Sequence, residues 1–133
     1  MYKLFDNIYN IINEAHNNSK KNEKYEQYIC MVQELITKNY RNENLDSIML
    51  AEEIGLTPEY LRRLFNKVNG ETLGDYINKY RVDKVKQLLL NTTDSINDIV
   101  MKTGFRSINY FYTIFKKING TTPNEFRDLH NKE

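Results

Sequence analysis

The second half of the chain repeats a pattern from its first half, with a period of about 50 residues. An Asp-Ser-Ile tripeptide begins each copy, at residues 46–48 and again at residues 94–96. The matched positions that follow are Ala51 with Val100, Gly55 with Gly104, Phe65 with Phe115, and Gly70 with Gly120. This period is much shorter than an ordinary domain, so the repeat indicates two copies of one supersecondary unit.

Apolar residues recur every three or four positions along almost the whole chain, whereas strict alternation is scarce. This is the period of amphipathic helices, so we predict an all-α fold. Ahead of the repeat, one apolar stripe occupies residues 4–15 and a second occupies residues 25–36. The polar residues 16–24 between them predict a linker or a loop. We therefore divide the chain into an N-terminal helix with its linker (residues 1–24) and one further domain (residues 25–133).

Capping residues predict where the helices of the repeat begin and end. Thr57, followed by proline, is typical of a helix start, because proline at the first helical position has no N–H to lose. The glycines that end both copies are typical of the left-handed residue that closes a helix. Between the copies, residues 73–90 keep a helical period and would span about 27 Å. The predicted architecture is two helix-turn-helix units, at about residues 46–70 and 95–119, joined by a long central helix and preceded by an extra N-terminal helix.

The second helix of each unit has one apolar face and one polar face. The positions predicted to point inward are Leu61, Leu64, Phe65 and Val68 in the first unit and Phe111, Ile114, Phe115 and Ile118 in the second. The positions predicted to point outward are Glu59, Arg62, Arg63, Asn66 and Lys67 in the first unit and Asn109, Tyr112, Thr113, Lys116 and Lys117 in the second. Residues 60–70 contain three basic residues and residues 99–124 contain four, and neither stretch contains an acidic residue. Although the formal net charge of the chain is only +1, both helices can present a basic face to a polyanion.

A few other side chains are interpreted as packing residues. Phe105, directly after a turn glycine, is expected to fill the core beneath that turn. Tyr60 and Tyr110 lie beside the apolar stripes, and Cys30 is interpreted as a small buried apolar residue.

Composition argues against an enzyme, a metal protein and a membrane protein. The longest apolar run has five residues, at residues 28–32, whereas a membrane helix needs about 20. The single cysteine and the two distant histidines, His16 and His130, predict neither a disulfide nor a metal site. We find no nucleophile–base pair and no phosphate-binding glycine loop, so we expect no catalysis and no cofactor. One unpaired thiol suits the reducing cytoplasm, where we expect the protein to act.

The repeat and its flanking residues resemble the AraC/XylS family of bacterial transcription regulators. In the first half the resemblance is carried by residues 55–65 and by Asn69, Gly70, Tyr76, Ile77 and Arg81. In the second half it is carried by Gly104, Phe105, Tyr110, Phe111, Phe115, Lys116, Lys117, Gly120, Thr122, Pro123, Phe126 and Arg127. The match covers about residues 30–130. It implies seven helices, with two helix-turn-helix motifs joined by a long helix, and binding to promoter DNA.

The resemblance also implies that the helices starting at Pro58 and Ser107 are the recognition helices. Base contacts are then expected from early outward positions, which are Glu59, Arg62 and Arg63 in the first helix and Ile108, Asn109 and Thr113 in the second. Phosphate contacts are expected from Lys67, Lys116, Lys117 and Arg106, and the DNA-binding set is completed by Thr57, Pro58, Asn66, Ser107 and Tyr112. Thr113 stands where the family commonly has arginine, and Asn66 stands where it often has lysine. The two helices are expected to enter successive major grooves on one side of the duplex, about 34 Å apart.

Partners beyond DNA, and one alternative function, stay open. RNA polymerase is an expected second partner, and dimerisation is expected through the N-terminal segment or through a part outside this chain. The alternative function is a helical protein-interaction module that acts on RNA polymerase or a partner regulator, which ten tyrosines and an outward Tyr112 favour. Residues 1–24 are interpreted as the remains of a sensory or dimerisation domain, or as the start of a small stand-alone regulator. The sequence indicates no effector, no target promoter and no choice between activation and repression.

Overall fold

Helices account for most of the chain. The computed structural model describes the backbone of residues 4–131 and the side chains of residues 20–131. This part of the chain contains no β-strand, and its helices are α1 (Leu4–Asn39), α2 (Ser47–Ile54), α3 (Pro58–Asn69), α4 (Leu73–Asn91), α5 (Ile96–Lys102), α6 (Ile108–Asn119) and α7 (Pro123–Asn131). None of these helices is both long enough and apolar enough to cross a membrane. The predicted architecture is confirmed, since α2 and α3 form the first helix-turn-helix unit, α4 is the central helix, and α5 and α6 form the second unit.

The first helix is continuous, and the linker predicted at residues 16–24 is wrong. Those residues continue the helix because α1 contains no proline and no glycine that would end it. Lysine and glutamate, which are good helix formers, predominate among the exposed residues 20–24. The polar composition therefore marks a solvent-facing stretch of helix. The apolar stripe at residues 4–15 lies outside the described side chains, and the domain division at residue 24 stays a prediction.

Capping contacts hold both recognition helices at their ends. The side chain of Thr57 accepts a hydrogen bond from the backbone N–H three residues further on (3.2 Å), and the side chain of Ser107 does the same for α6 (3.1 Å). Ser107 is therefore the N-cap of α6, which begins at Ile108. Gly70 and Gly120 end the two helices in the left-handed conformation, with φ of 73° and 80°, as predicted.

The buried apolar residues form two clusters that share α4. The first cluster joins α1, α2, α3 and the beginning of α4, and its fully buried side chains include Ile36, Leu50, Leu61 and Phe65. The second joins the rest of α4 to α5, α6 and α7, and its fully buried side chains include Val85, Leu89, Ile99, Phe111 and Phe115. Each cluster anchors the inner face of one recognition helix, so α4 supports both units.

Some residues that were predicted to face inward or to be buried are exposed. Val68 and Ile118 are 40% and 39% exposed, and each lies in the last turn of its helix. Cys30 is exposed, because it lies one residue off the buried stripe of α1 that contains Ile29 and Val32, about 100° around the helix. Phe105, in contrast, is buried in the second cluster as predicted.

Candidate nucleic-acid interface

α3 turns its basic face to solvent. The outward orientation predicted for Glu59, Arg62, Arg63, Asn66 and Lys67 is confirmed, since all are exposed. On the opposite face Leu61, Leu64 and Phe65 are buried. The helix therefore separates its charges from its packing residues along its whole length, and its cations are available to a partner.

The two arginines in the middle of α3 differ in how they are held. One terminal nitrogen of Arg62 donates a hydrogen bond to the hydroxyl of Ser47 (2.7 Å), and the other lies 3.7 Å from a carboxylate oxygen of Glu59. Within residues 20–131 the side chain of Arg63 makes no hydrogen bond and no salt bridge. Arg62 is thus oriented against α2, while the guanidinium of Arg63 is available for a bidentate contact.

α6 has a more mixed outer face. Asn109, Thr113, Lys116 and Lys117 are exposed as predicted, and Ile108 is exposed at the start of the helix. Tyr112, however, is half-buried and packs edge-to-face on Phe111, with 5.4 Å between ring centroids, because it borders the second core. The hydroxyl of Thr113 donates to the carbonyl of Asn109 (3.1 Å), so its donor is turned back onto the helix. The amide of Asn109 and the two lysines are the strongest polar groups of this face.

An open cleft of about 770 Å³ lies between the two units. Its lining includes four of the predicted DNA-binding side chains, Arg62, Arg63, Asn66 and Arg106. It also includes Asn78 and Arg81 of α4 and Tyr110 of α6. The four arginines outnumber the two carboxylates of the lining, Glu43 and Asp46. Asp46 is in addition the N-cap of α2 and accepts a backbone hydrogen bond of 2.9 Å. The cleft is therefore a cationic surface flanked by the first recognition helix and the beginning of the second.

Most residues of the cleft were not among the predicted site residues, and two of these pair across it. The amide of Asn78 on α4 donates a hydrogen bond to the hydroxyl of Tyr110 on α6 (3.0 Å), and Tyr110 is 47% exposed, although its position beside the apolar stripe predicted packing. The two residues are 32 positions apart, so no local pattern could pair them. Lys116 and Lys117 do not line the cleft.

The chemistry of this surface is that of anion binding. Guanidinium and ammonium groups dominate its outer faces, and no group of three or more His, Cys, Asp or Glu side chains able to hold a metal ion occurs among the described residues. Burial lowers the pKa of Arg81, the innermost arginine of the cleft, from its ordinary value. Arginine still carries its charge at neutral pH, so the cleft remains cationic.

Comparisons with known proteins agree with this geometry. The family described as "Helix-turn-helix domain" matches residues 50–128. The bifunctional transcriptional activator/DNA repair enzyme AdaA of Bacillus subtilis (strain 168) is 36% identical over 107 residues, which are 80% of this chain and 50% of AdaA. The xylose operon regulatory protein of Escherichia coli (strain K12) is 33% identical over 95 residues, which are 71% of this chain and 24% of that protein.

A solved structure extends the comparison to three dimensions. The crystal structure of a transcriptional regulator from Chromobacterium violaceum, described among AraC-type DNA-binding domain-containing proteins, superposes with a TM-score of 0.72. It is 27% identical, and the match covers 79% of this chain and 93% of that one. Fold and surface thus define a double helix-turn-helix domain. The chain belongs to the AraC/XylS family, and it spans half or less of the length of the two curated relatives described above.

Proposed function

We propose that this chain is the sequence-specific DNA-binding part of a transcription regulator, and that it inserts α3 and α6 into successive major grooves of promoter DNA. The observation that carries the proposal is the cleft, which is bordered by the outer face of α3 and by the beginning of α6 and is lined by four arginines. A duplex that lies across both helices brings a phosphate backbone past this cleft, since successive major grooves are separated by one minor groove.

Roles follow from how each side chain is held. Arg63 on α3 and Asn109 on α6 are proposed as the principal base readers, because both are exposed and both have forked hydrogen-bonding groups. Lys67, Lys116 and Lys117 are proposed to contact phosphates, which gives affinity without sequence preference. The AdaA name includes a DNA repair activity, which we do not assign to this chain because the match spans only half of AdaA.

The experiment begins with selection of binding sites from random duplexes, which needs no knowledge of the natural promoter. The selected sites are expected to be asymmetric and about two helical turns long, because α3 and α6 present different outer residues. Binding to an unselected duplex is then measured while salt is varied from about 50 to about 200 mM, and the logarithm of the affinity is expected to fall linearly with the logarithm of the salt concentration. Failure to bind any duplex at low salt contradicts the proposal.

A second candidate is contact with RNA polymerase or a partner regulator. Tyr112 supports it less than the sequence indicated, because this side chain is half-buried. Met101 on α5 is 80% exposed and does not line the cationic cleft, but a single exposed apolar side chain is ordinary on a protein surface and does not favour this candidate. Dimerisation through the N-terminal segment and action in the cytoplasm stay predictions.

A further inference from the structure

Each helix-turn-helix unit is closed by an arginine in the helix that follows it. In the second unit, Arg127 on α7 reaches back to the segment before α5 and donates to three carbonyl oxygens, those of Leu89 (3.1 Å), Thr92 (3.2 Å) and Asp94 (2.7 Å). These acceptors lie at or just beyond the C-terminal end of α4, where helix carbonyls lack helical partners. Arg127 therefore ties the two ends of one unit together.

Arg81 plays the same part in the first unit. It lies on α4, which follows that unit, and it donates to the carbonyl oxygens of Tyr40 (2.9 Å) and Asn42 (2.8 Å) in the segment before α2. Its side chain is only 6% exposed, and both bonds are made to backbone just beyond the C-terminal end of α1. The partial negative charge of that helix end favours the buried guanidinium.

Arg81 also lies against the turn of the second unit. Among the described residues, Arg127 makes no comparable contact with the first unit. Gly104, in the turn of the second unit, has a φ of +86°, and a Cβ built on it would overlap the carbonyl oxygen of Tyr40 and lie 2.9 Å from Nε of Arg81. The Arg81 guanidinium also lies 5.9 Å from the ring centroid of Phe105. The turn of the second unit therefore rests directly on the carbonyl and the arginine that close the first.

Arg106 adds a third contact at the same place. Its Nε donates to the carbonyl oxygen of Glu43 (3.0 Å), 63 positions earlier in the chain. The backbone of residues 40–43 thus accepts hydrogen bonds from one arginine of α4 and one arginine of the second unit, and it contacts Gly104. We call this arrangement of residues 40–43 with Arg81, Gly104 and Arg106 the joint.

We propose that the joint sets the distance and angle between α3 and α6, and that Arg81 is the positioning residue that determines which spacing between the two DNA half-sites the chain accepts. The two buried clusters are separate, and α4 is the element that contributes to both, so a second connection is needed to hold the units at one angle. One base pair adds about 3.4 Å and about 34° between half-sites. A rigid joint therefore rejects duplexes with a changed spacing. This inference rests on the proposed insertion of both helices into successive grooves.

The test measures spacing preference in the full chain. Dissociation constants are determined for the selected duplex and for duplexes with one base pair added or removed between its two contact regions. The spacing ratio is the dissociation constant of a mis-spaced duplex divided by that of the selected duplex. For the unmodified protein we expect a ratio of about ten or more, and for Arg81→Lys, which keeps the charge but loses the fork, a ratio of about three or less.

The matched control is Arg127→Lys, which makes the same change in the arginine that closes the second unit. It is expected to lower the melting temperature and to leave the spacing ratio unchanged. Arg106→Ala gives a second variant at an exposed position that does not threaten folding. It weakens binding to all duplexes through loss of a charge, and its spacing ratio is expected to fall between those of the unmodified protein and Arg81→Lys.

Each outcome has a defined meaning. If Arg81→Lys melts cooperatively and keeps the original spacing ratio, the inference is overturned. If that variant does not fold, an unchanged ratio in Arg106→Ala overturns it. If the unmodified protein needs both contact regions but accepts every spacing between them, the inference is overturned and the proposed function stands. If replacement of either contact region by unrelated sequence leaves the affinity unchanged, the proposed insertion into two successive grooves fails.

Discussion

Replacement of Arg63 by alanine separates base reading from phosphate binding on α3. The Arg63 side chain is exposed, lines the cleft, and has no polar partner among the described residues, so it needs no rearrangement to bind a guanine. A bidentate contact to guanine contributes about 1–3 kcal/mol of discrimination. Arg63→Ala is therefore expected to weaken binding to the selected site by about 5- to 150-fold. Arg62→Ala is expected to have a smaller effect, because Arg62 must first release Ser47 and Glu59.

The assay is fluorescence anisotropy with the selected duplex and with a scrambled duplex of the same composition. Arg63→Ala is expected to weaken binding to the selected duplex much more than binding to the scrambled duplex. Lys117→Ala is expected to weaken binding to the two duplexes by the same factor, because a phosphate contact does not read sequence. This factor is expected to be smaller than the loss that Arg63→Ala causes on the selected duplex. Lys21→Ala, which removes an exposed cation from α1 outside both units, is the matched control. Equal losses for Arg63→Ala on the two duplexes would refute the division of roles.

Three further predictions concern stability and exposure. Thr57→Ala removes the acceptor that caps α3 and is expected to lower the free energy of unfolding by about 1 kcal/mol in urea denaturation; an unchanged midpoint contradicts this. Phe115→Ala empties a fully buried position in the second core and is expected to cost about 3–5 kcal/mol by the same method, whereas a loss below about 1 kcal/mol would show that the site collapses. Cys30 is exposed, so a thiol reagent is expected to modify it stoichiometrically in the native protein without denaturant, and protection of the thiol would place it in an interface.

Local signals explain why much of the fold was predictable. Caps are short-range features, so Thr57 predicted the start of α3, and Gly70 and Gly120 predicted the ends of α3 and α6. The start of α6 came from the family resemblance, which placed it at Ser107, one residue before Ile108. The inner and outer faces followed from the helical period in the same way, except at Val68, Ile118 and Tyr112. Prediction failed where composition was ambiguous, as in residues 16–24, whose polar side chains suit a loop and a solvated helix equally well.

The rest depended on contacts between distant parts of the chain. Arg81 was recognisable only as part of a family pattern, and its role required the position of a carbonyl 41 residues earlier. The exposure of Tyr110 likewise depends on how α6 lies against α4, where Asn78 meets its hydroxyl. Helical periodicity assigns a residue to a face of its own helix, but it does not say which neighbouring element covers that face.

In the proposed complex, one chain reads two successive major grooves with α3 and α6. Methylation interference at guanine N7 on the selected duplex tests it directly, because N7 lies in the major groove. We expect two groups of interfering guanines centred about 10 base pairs apart, on one face of the duplex. A single group, or two groups about five base pairs apart on opposite faces, would contradict it.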